Sequence, residues 1–267
     1  MINYTETLTD NSQLSTYIES YVTLSFHSID INSKTFLTRS GANLLLSNVP
    51  ISVNNEVEDT NIILGISHKP SKIYWEGNPS GKAVLIKFSP YGLSRFTDIP
   101  IVQMSNTAFP ACKLFGNSIQ KLSNQVMQTD NISKKIEQIE QVLLDRFIEP
   151  NETEKIIFKL ADTIKRSVET SSTKPIRREI PLGKRQLERN FKRLIGYNIQ
   201  AFNRICKFEN AKNKLIKEQL SSLTEIGYQS GYFDQSHFIR EFKRFTSFSP
   251  KYFFQNAPFY RLIANAK

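Results

Sequence analysis

Cysteine is scarce in this chain. Cys112 and Cys206 are the only two in 267 residues, and neither has a paired spacing to the other or to histidine. That argues against a disulfide framework and a zinc site alike, so both read as reduced thiols. The 3 histidines, His27, His68 and His237, form no H-x-H spacing. A metal-dependent β-barrel enzyme would need clustered histidines and carboxylates between Phe36 and Pro90, where only His68 stands. No catalytic set, metal site or cofactor is therefore implied. Long apolar runs are also missing. The longest are short segments such as NLLLS and NIILGI, far below the roughly 18 residues a membrane span requires. The opening MINYTETLTDNSQLSTYIESYVTLS lacks the basic start and apolar stretch of a secretory signal, so the chain is expected in the cytoplasm. The single tryptophan, Trp75 in IYWEGNP, fits strand core or a pocket wall.

What is present is a globular composition, 39% apolar and 22% charged. The net charge of +10 is unevenly placed. Met1 to Thr173 holds 16 Lys and Arg against 18 Asp and Glu, whereas Lys174 to Lys267 holds 19 against 7. The last third thus carries all the excess, yet it is rich in Phe and Tyr, unlike a solvated basic tail. It should fold and present its charge to an anionic polymer, with a membrane surface the weaker candidate.

A boundary is expected near VETSSTKPIRRE, where Ser, Thr and Pro cluster and the charge changes sign. Before it, FLTRS, ANLLLSN, NIILGIS, KIYWEG and KAVLIKFSP read as strands separated by Asn, Gly and Pro turns, with EGNPSG as a hairpin connection. From Asn117 the period becomes helical: NSIQKLSNQVM, SKKIEQIEQVLLDRF and ETEKIIFKLADTIKRS carry apolar residues at three- and four-residue intervals, as at Ile136, Ile139, Leu143 and Phe147. The expected class is α+β. Residues 1–170 form a regulatory or dimerisation domain, β-rich to about 110 and helical from about 117, and 171–267 form an all-α domain.

That second domain contains a repeat. LERNFKRL at Leu187 and FIREFKRF at Phe238 superimpose with an offset of 51 residues, matching Arg189 to Arg240, Phe191 to Phe242, Lys192 to Lys243 and Arg193 to Arg244. At about 100° per residue, Leu187, Phe191 and Leu194 share one helix face, as do Phe238, Phe242 and Phe245. Arg185, Arg189 and Lys192 then face the other way, like Ser236, Arg240 and Lys243. Ser222 and Glu225 have capping-box spacing, Gly231 suits a chain reversal, and Asp234 suits an N-cap. Gln235, Ser236 and His237 would then lie in the first turn of a recognition helix.

GYFDQSHFIREFKRFTSFSPKYF and KRQLERNFKRLIGYNIQAFNRICKFENAKNKLI resemble the tandem helix-turn-helix domain of the AraC/XylS family of bacterial transcription regulators over Gly183 to Phe253. AVLIKFSPYGLSRFTDIP more weakly resembles a sensor-like domain found ahead of that module. The resemblance implies sequence-specific binding of double-stranded DNA, two recognition helices in successive major grooves, and no catalysis. Arg185, Gln186, Arg189 and Lys192 would meet the first groove, and Gln235, Ser236, His237, Arg240 and Lys243 the second. RNA polymerase, a small-molecule effector and a second copy of the chain are the further partners left open. A DNA-repair methyl acceptor with the same module would need a zinc-holding cysteine set and a reactive cysteine, both missing; a non-specific architectural DNA protein is the alternative. The sequence departs from the family at Arg177, Pro181, Gly227 and Ser247. Proline at the entry of the first unit implies that this unit is the less regular.

Overall fold

The computed structural model describes residues 2–27, 33–74, 80–169, 180–217 and 222–256. Its first half is an antiparallel sheet. Strands β1 (Ile2–Thr7), β2 (Ile18–Phe26), β7 (Gly81–Phe88), β4 (Asn43–Val53), β5 (Val57–Leu64) and β8 (Ala108–Pro110) lie in that order; β6 (Ser71–Tyr74) pairs β4, and β3 (Ser33–Phe36) pairs β6. Alternation with period two divides the side chains between two cores. Leu44, Leu46, Ile63, Val84 and Ile86 face one, and Leu45, Ile62, Leu64, Ala83 and Leu85 face the other. The register shifts within β4 between Leu46 and Ile51, around Pro50, a residue that cannot donate to a ladder.

The first core is closed by the short helix α1 (Cys112–Phe115) and by α2 (Ser118–Gln128) and α3 (Ile132–Leu144). Ile139 and Leu143 are buried there, with Ile136 and Phe147 packed at its margin, so the helical period places them as expected. Asn131 caps α3 by accepting from the Lys134 amide at 3.0 Å. Strands β1 and β2 were not anticipated. Of FLTRS only Phe36 belongs to a strand; Leu37 to Ser40 leave it and are buried. There Arg39 donates to the carbonyls of Ala42 and Phe88 at 3.2 and 3.1 Å and pairs with Glu19. Trp75 and most of EGNPSG lie outside the described residues.

Helix α4 (Glu152–Glu169) belongs to a different core. Ile157, Phe158, Leu160, Ala161, Ile164 and Val168 are buried with the apolar faces of the C-terminal helices α5 (Lys184–Ile195), α6 (Ile199–Lys217), α7 (Leu223–Gln229), α8 (Gln235–Thr246) and α9 (Pro250–Gln255). It also touches the N-terminal half. Phe158 stacks on Tyr91 at 4.2 Å between ring centroids, Tyr91 donates to Asp162 at 3.1 Å, and Lys165 pairs with Glu19 at 2.8 Å. Glu154 accepts from the buried Arg95 at 3.0 Å and from Arg193 of α5 at 2.6 Å. Burial pushes the Glu154 carboxyl upward, but hydrogen bonds from Arg95 and Arg193 outweigh it and hold the group below the usual glutamate range.

Candidate nucleic-acid interface

Helices α5 and α8 are the same device built twice. Both are 12 residues long, and their starts and ends share the 51-residue offset seen in the sequence. Leu187, Phe191, Leu194 and Ile195 are buried on α5; Phe238, Phe242, Phe245 and Thr246 are buried on α8. The opposite faces are open to solvent: Arg185, Gln186, Arg189 and Lys192 on the first, and Gln235, Ser236, Arg240 and Lys243 on the second. His237 is half-buried, its ring edge-on to Tyr232 at 5.4 Å. A row of apolar anchors therefore fixes each helix, and the cations opposite are left for an external partner. Arg185 and Arg189 lie one helical turn apart, with Lys192 on the next turn, so their charges form a stripe along the axis.

The ends of the helices repeat as well. Gly196 follows α5 with φ +94°, and Ser247, at the equivalent place after α8, has φ +67°. Only glycine adopts this left-handed conformation without steric cost. Ser247→Gly is therefore expected to raise stability by about 0.5–1 kcal/mol, the relief of strain exceeding the added freedom of the unfolded chain. An unchanged or lower urea midpoint would contradict this.

Local chemistry sets the second unit. Ser222 caps α7, accepting from the Glu225 amide at 3.1 Å, while the Glu225 carboxylate accepts from Gln229 rather than closing the reciprocal half of a capping box. Gly231 takes φ +77° at the reversal, and its carbonyl accepts from Lys207 of α6 at 2.5 Å. Asp234 then caps α8 by accepting from the His237 amide at 2.7 Å. In the first unit, Gly183 stands at the N-cap of α5 and Pro181 is exposed just before it; Arg177 lies outside the described residues. The proline leaves α5 itself an uninterrupted helix.

Helix α6 spaces the two. Phe202 meets Phe191 of α5 at 5.5 Å, and Phe208 meets Phe242 and Phe245 of α8 at 5.4 and 4.7 Å. Arg204 makes two hydrogen bonds to Glu241 of α8, at 2.8 and 2.7 Å. Burial raises the Glu241 carboxyl, and the Arg204 hydrogen bond more than offsets it, so the group stays ionised below its usual range. This forked pair fixes the rotation of α8 about its axis, and with it the direction of Arg240. The pair was not anticipated from the sequence. Its signal was the replacement of Asn190 in the first repeat by Glu241 in the second, facing an arginine on the connecting helix.

The two halves of the molecule also touch at the turn that follows α5. Ser105 donates to the Gly196 carbonyl at 2.9 Å. The Tyr197 hydroxyl lies 2.6 Å from Asn106 Oδ1 and 2.9 Å from the Ile66 carbonyl, with His68 edge-on to its ring at 4.3 Å. An open cleft of about 480 Å³ runs between the start of α4 and the exposed side of α5, lined by Glu152, Glu154, Gln186, Arg189 and Arg193 among others. Cys112 is exposed and Cys206 buried, and neither is in a disulfide. Among the described residues, no group of three or more His, Cys, Asp or Glu is placed to hold a metal ion, and no helix is long and apolar enough to cross a membrane.

Residues 178–256 match the family described as helix-turn-helix domain. No curated protein matches the chain. Among solved structures, the fold is similar to an apo variant of ToxT from Vibrio cholerae strain SCE256, with a TM-score of 0.50 at 12% identity over 88% of this chain and 97% of that one. It is equally similar to ToxT from Vibrio cholerae O395, with a TM-score of 0.50 at 11% identity over 89% and 98% of the two chains. A third structure, ToxT bound to (E)-4-(8-methylnaphthalen-1-yl)but-3-enoic acid, gives 0.50 at 11% over 96% and 98%. With the repeated helices in view, residues 178–256 are a helix-turn-helix domain of the AraC type, and the chain is a DNA-binding transcription regulator.

Proposed function

We propose that the chain regulates transcription by placing α5 and α8 in successive major grooves on one side of the duplex, about one helical turn apart. Arg185, Gln186 and Arg189 read the first groove; Gln235, Ser236, His237 and Arg240 read the second. Lys192 and Lys243 anchor phosphates. The observation that carries this assignment is the pair of 12-residue helices, each buried on its Phe-bearing face and exposed on its basic one. Its test is the salt dependence of binding to duplex DNA. With six to ten phosphate contacts, affinity should fall roughly 10³–10⁵-fold between about 50 and 200 mM salt. A flat dependence would reject the docking.

We further propose the division of labour between residues 1–170, regulatory and dimerising, and residues 171–267, DNA-binding, with α4 lending its apolar face to the second core. A dimer would align two operator copies and raise affinity through effective concentration, and RNA polymerase would be the downstream contact in the cytoplasm. The proposed effector class is a small carboxylic acid. One similar solved structure, ToxT, is bound to such an acid. In this chain the four cations Arg39, Lys87, Lys165 and Lys212 gather where the sheet meets α4 and α6 against the three carboxylates of Glu6, Glu19 and Glu209, Glu6 pairing with Lys87 at 3.0 Å. Burial brings the Lys212 ammonium down to about 8 although Glu209 lies near it, so an added carboxylate would be favoured there. Aliphatic and aromatic carboxylic acids should raise the melting temperature of wild type and not of Arg39→Gln. Equal responses in both would remove the site.

A further inference from the structure

Phe233 is 86% exposed, the most exposed large apolar side chain among the described residues. It sits immediately before the Asp234 cap of α8. A large apolar residue at that position ordinarily packs against the fourth residue of the helix, here Phe238, and so fixes the entry angle of the chain. Phe233 does not. Phe238 is fully buried, and its neighbour from the turn is Tyr232, 5% exposed, with ring centroids 5.3 Å apart. The fold thus has its staple in Tyr232 and leaves the next aromatic ring in water, where an apolar surface of this size is unfavourable.

The surroundings name what would cover it. Gln235, Ser236 and Arg240 are exposed on the turns that follow, and Lys243 lies beyond them, so the ring stands in the chain directly before the basic stripe that suits a polyanion. In a helix-turn-helix the N-terminal end of the second helix enters the major groove deepest. The one apolar group a base pair displays there is the C5-methyl of thymine, which phenylalanine side chains contact. We propose that Phe233 is a specificity-determining residue that covers a thymine methyl at the edge of the second half-element. The inference rests on the assignment of α8 as a recognition helix.

The test uses the full chain and its best site selected from random duplexes, in which each thymine of the second half-element is replaced in turn by deoxyuracil. Removing one buried methyl should weaken wild type about four-fold at one position. Phe233→Ala should bind the two duplexes equally and keep the wild-type salt slope and melting temperature, since the side chain supports neither charge nor core. Arg240→Ala, which removes a different contact, should keep the uracil penalty. The inference is overturned if wild type ignores every replacement, or if Phe233→Ala retains the penalty. It is also overturned if Phe233→Ala loses transcription control with unaltered DNA binding, which would assign the ring to a protein partner. If wild type selects no sequence at all, the reading of α8 fails together with it, whereas selection without a methyl effect overturns the Phe233 role alone.

Discussion

Glu154→Ala is expected to lower the free energy of unfolding by about 3–5 kcal/mol, more than any surface substitution, because it strands a buried cation. The Arg95 side chain is 2% exposed and Glu154 is 8% exposed. Arg95 reaches its partner at 3.0 Å, has its guanidinium 5.0 Å from the Phe158 ring centroid, and also donates to the Ile148 carbonyl at 3.2 Å. Removing the carboxylate leaves that guanidinium without its counter-charge in a dry site. It also frees Arg193 on α5, so the first recognition helix loses one ion pair to α4. The pH dependence has a definite sign. The folded-state pKa of Glu154 is held below the unfolded value. Its contribution is therefore present above the usual glutamate range and is lost as pH falls through the folded value. Urea midpoints from pH 7 downward should converge for wild type and Glu154→Ala in acid; a constant gap, or none at pH 7, would contradict the assignment.

Arg240→Ala should relax base preference at particular operator positions, losing about 1–3 kcal/mol of discrimination there. The side chain is exposed on α8, and the forked Arg204–Glu241 pair beside it holds the helix in one rotation. Lys192→Ala and Lys243→Ala, which remove phosphate anchors, should weaken all sequences alike and reduce the salt slope by about one each. Sequence profiles selected by each variant separate the roles. An unaltered profile for Arg240→Ala, or a loss of preference confined to the lysine variants, would place reading and anchoring on the wrong side chains.

Much of this arrangement is legible in the sequence because the signals are local and repeated. The spacing of Leu187, Phe191 and Leu194, and of Phe238, Phe242 and Phe245, states which face is buried without reference to anything distant, and the caps at Ser222 and Asp234 depend on neighbours three residues away. Strands β1 and β2 were not legible. In INYTET and IESYVTLSF polar and apolar residues mix, and their strand character comes from pairing with each other and with β7. Nor does periodicity say which core an amphipathic helix joins. Ile157, Phe158, Ala161 and Ile164 show that α4 has an apolar face, but only packing places that face against the C-terminal helices and not on the sheet. The buried charges are the least readable class. Arg39, Arg95 and Lys212 are buried cations, and a sequence offers no means of pairing Arg95 with Glu154 across 59 positions.

On this reading two matched helices read DNA sequence and do not merely hold phosphates. Selection of binding sites by the full chain from a random duplex pool, at near-physiological salt and with excess random competitor, tests it most directly. The expected profile has two information-rich elements about one helical turn apart. A pool that stays random after repeated rounds, or binding abolished by random competitor as readily as by the selected site, would show instead a non-specific DNA-binding protein.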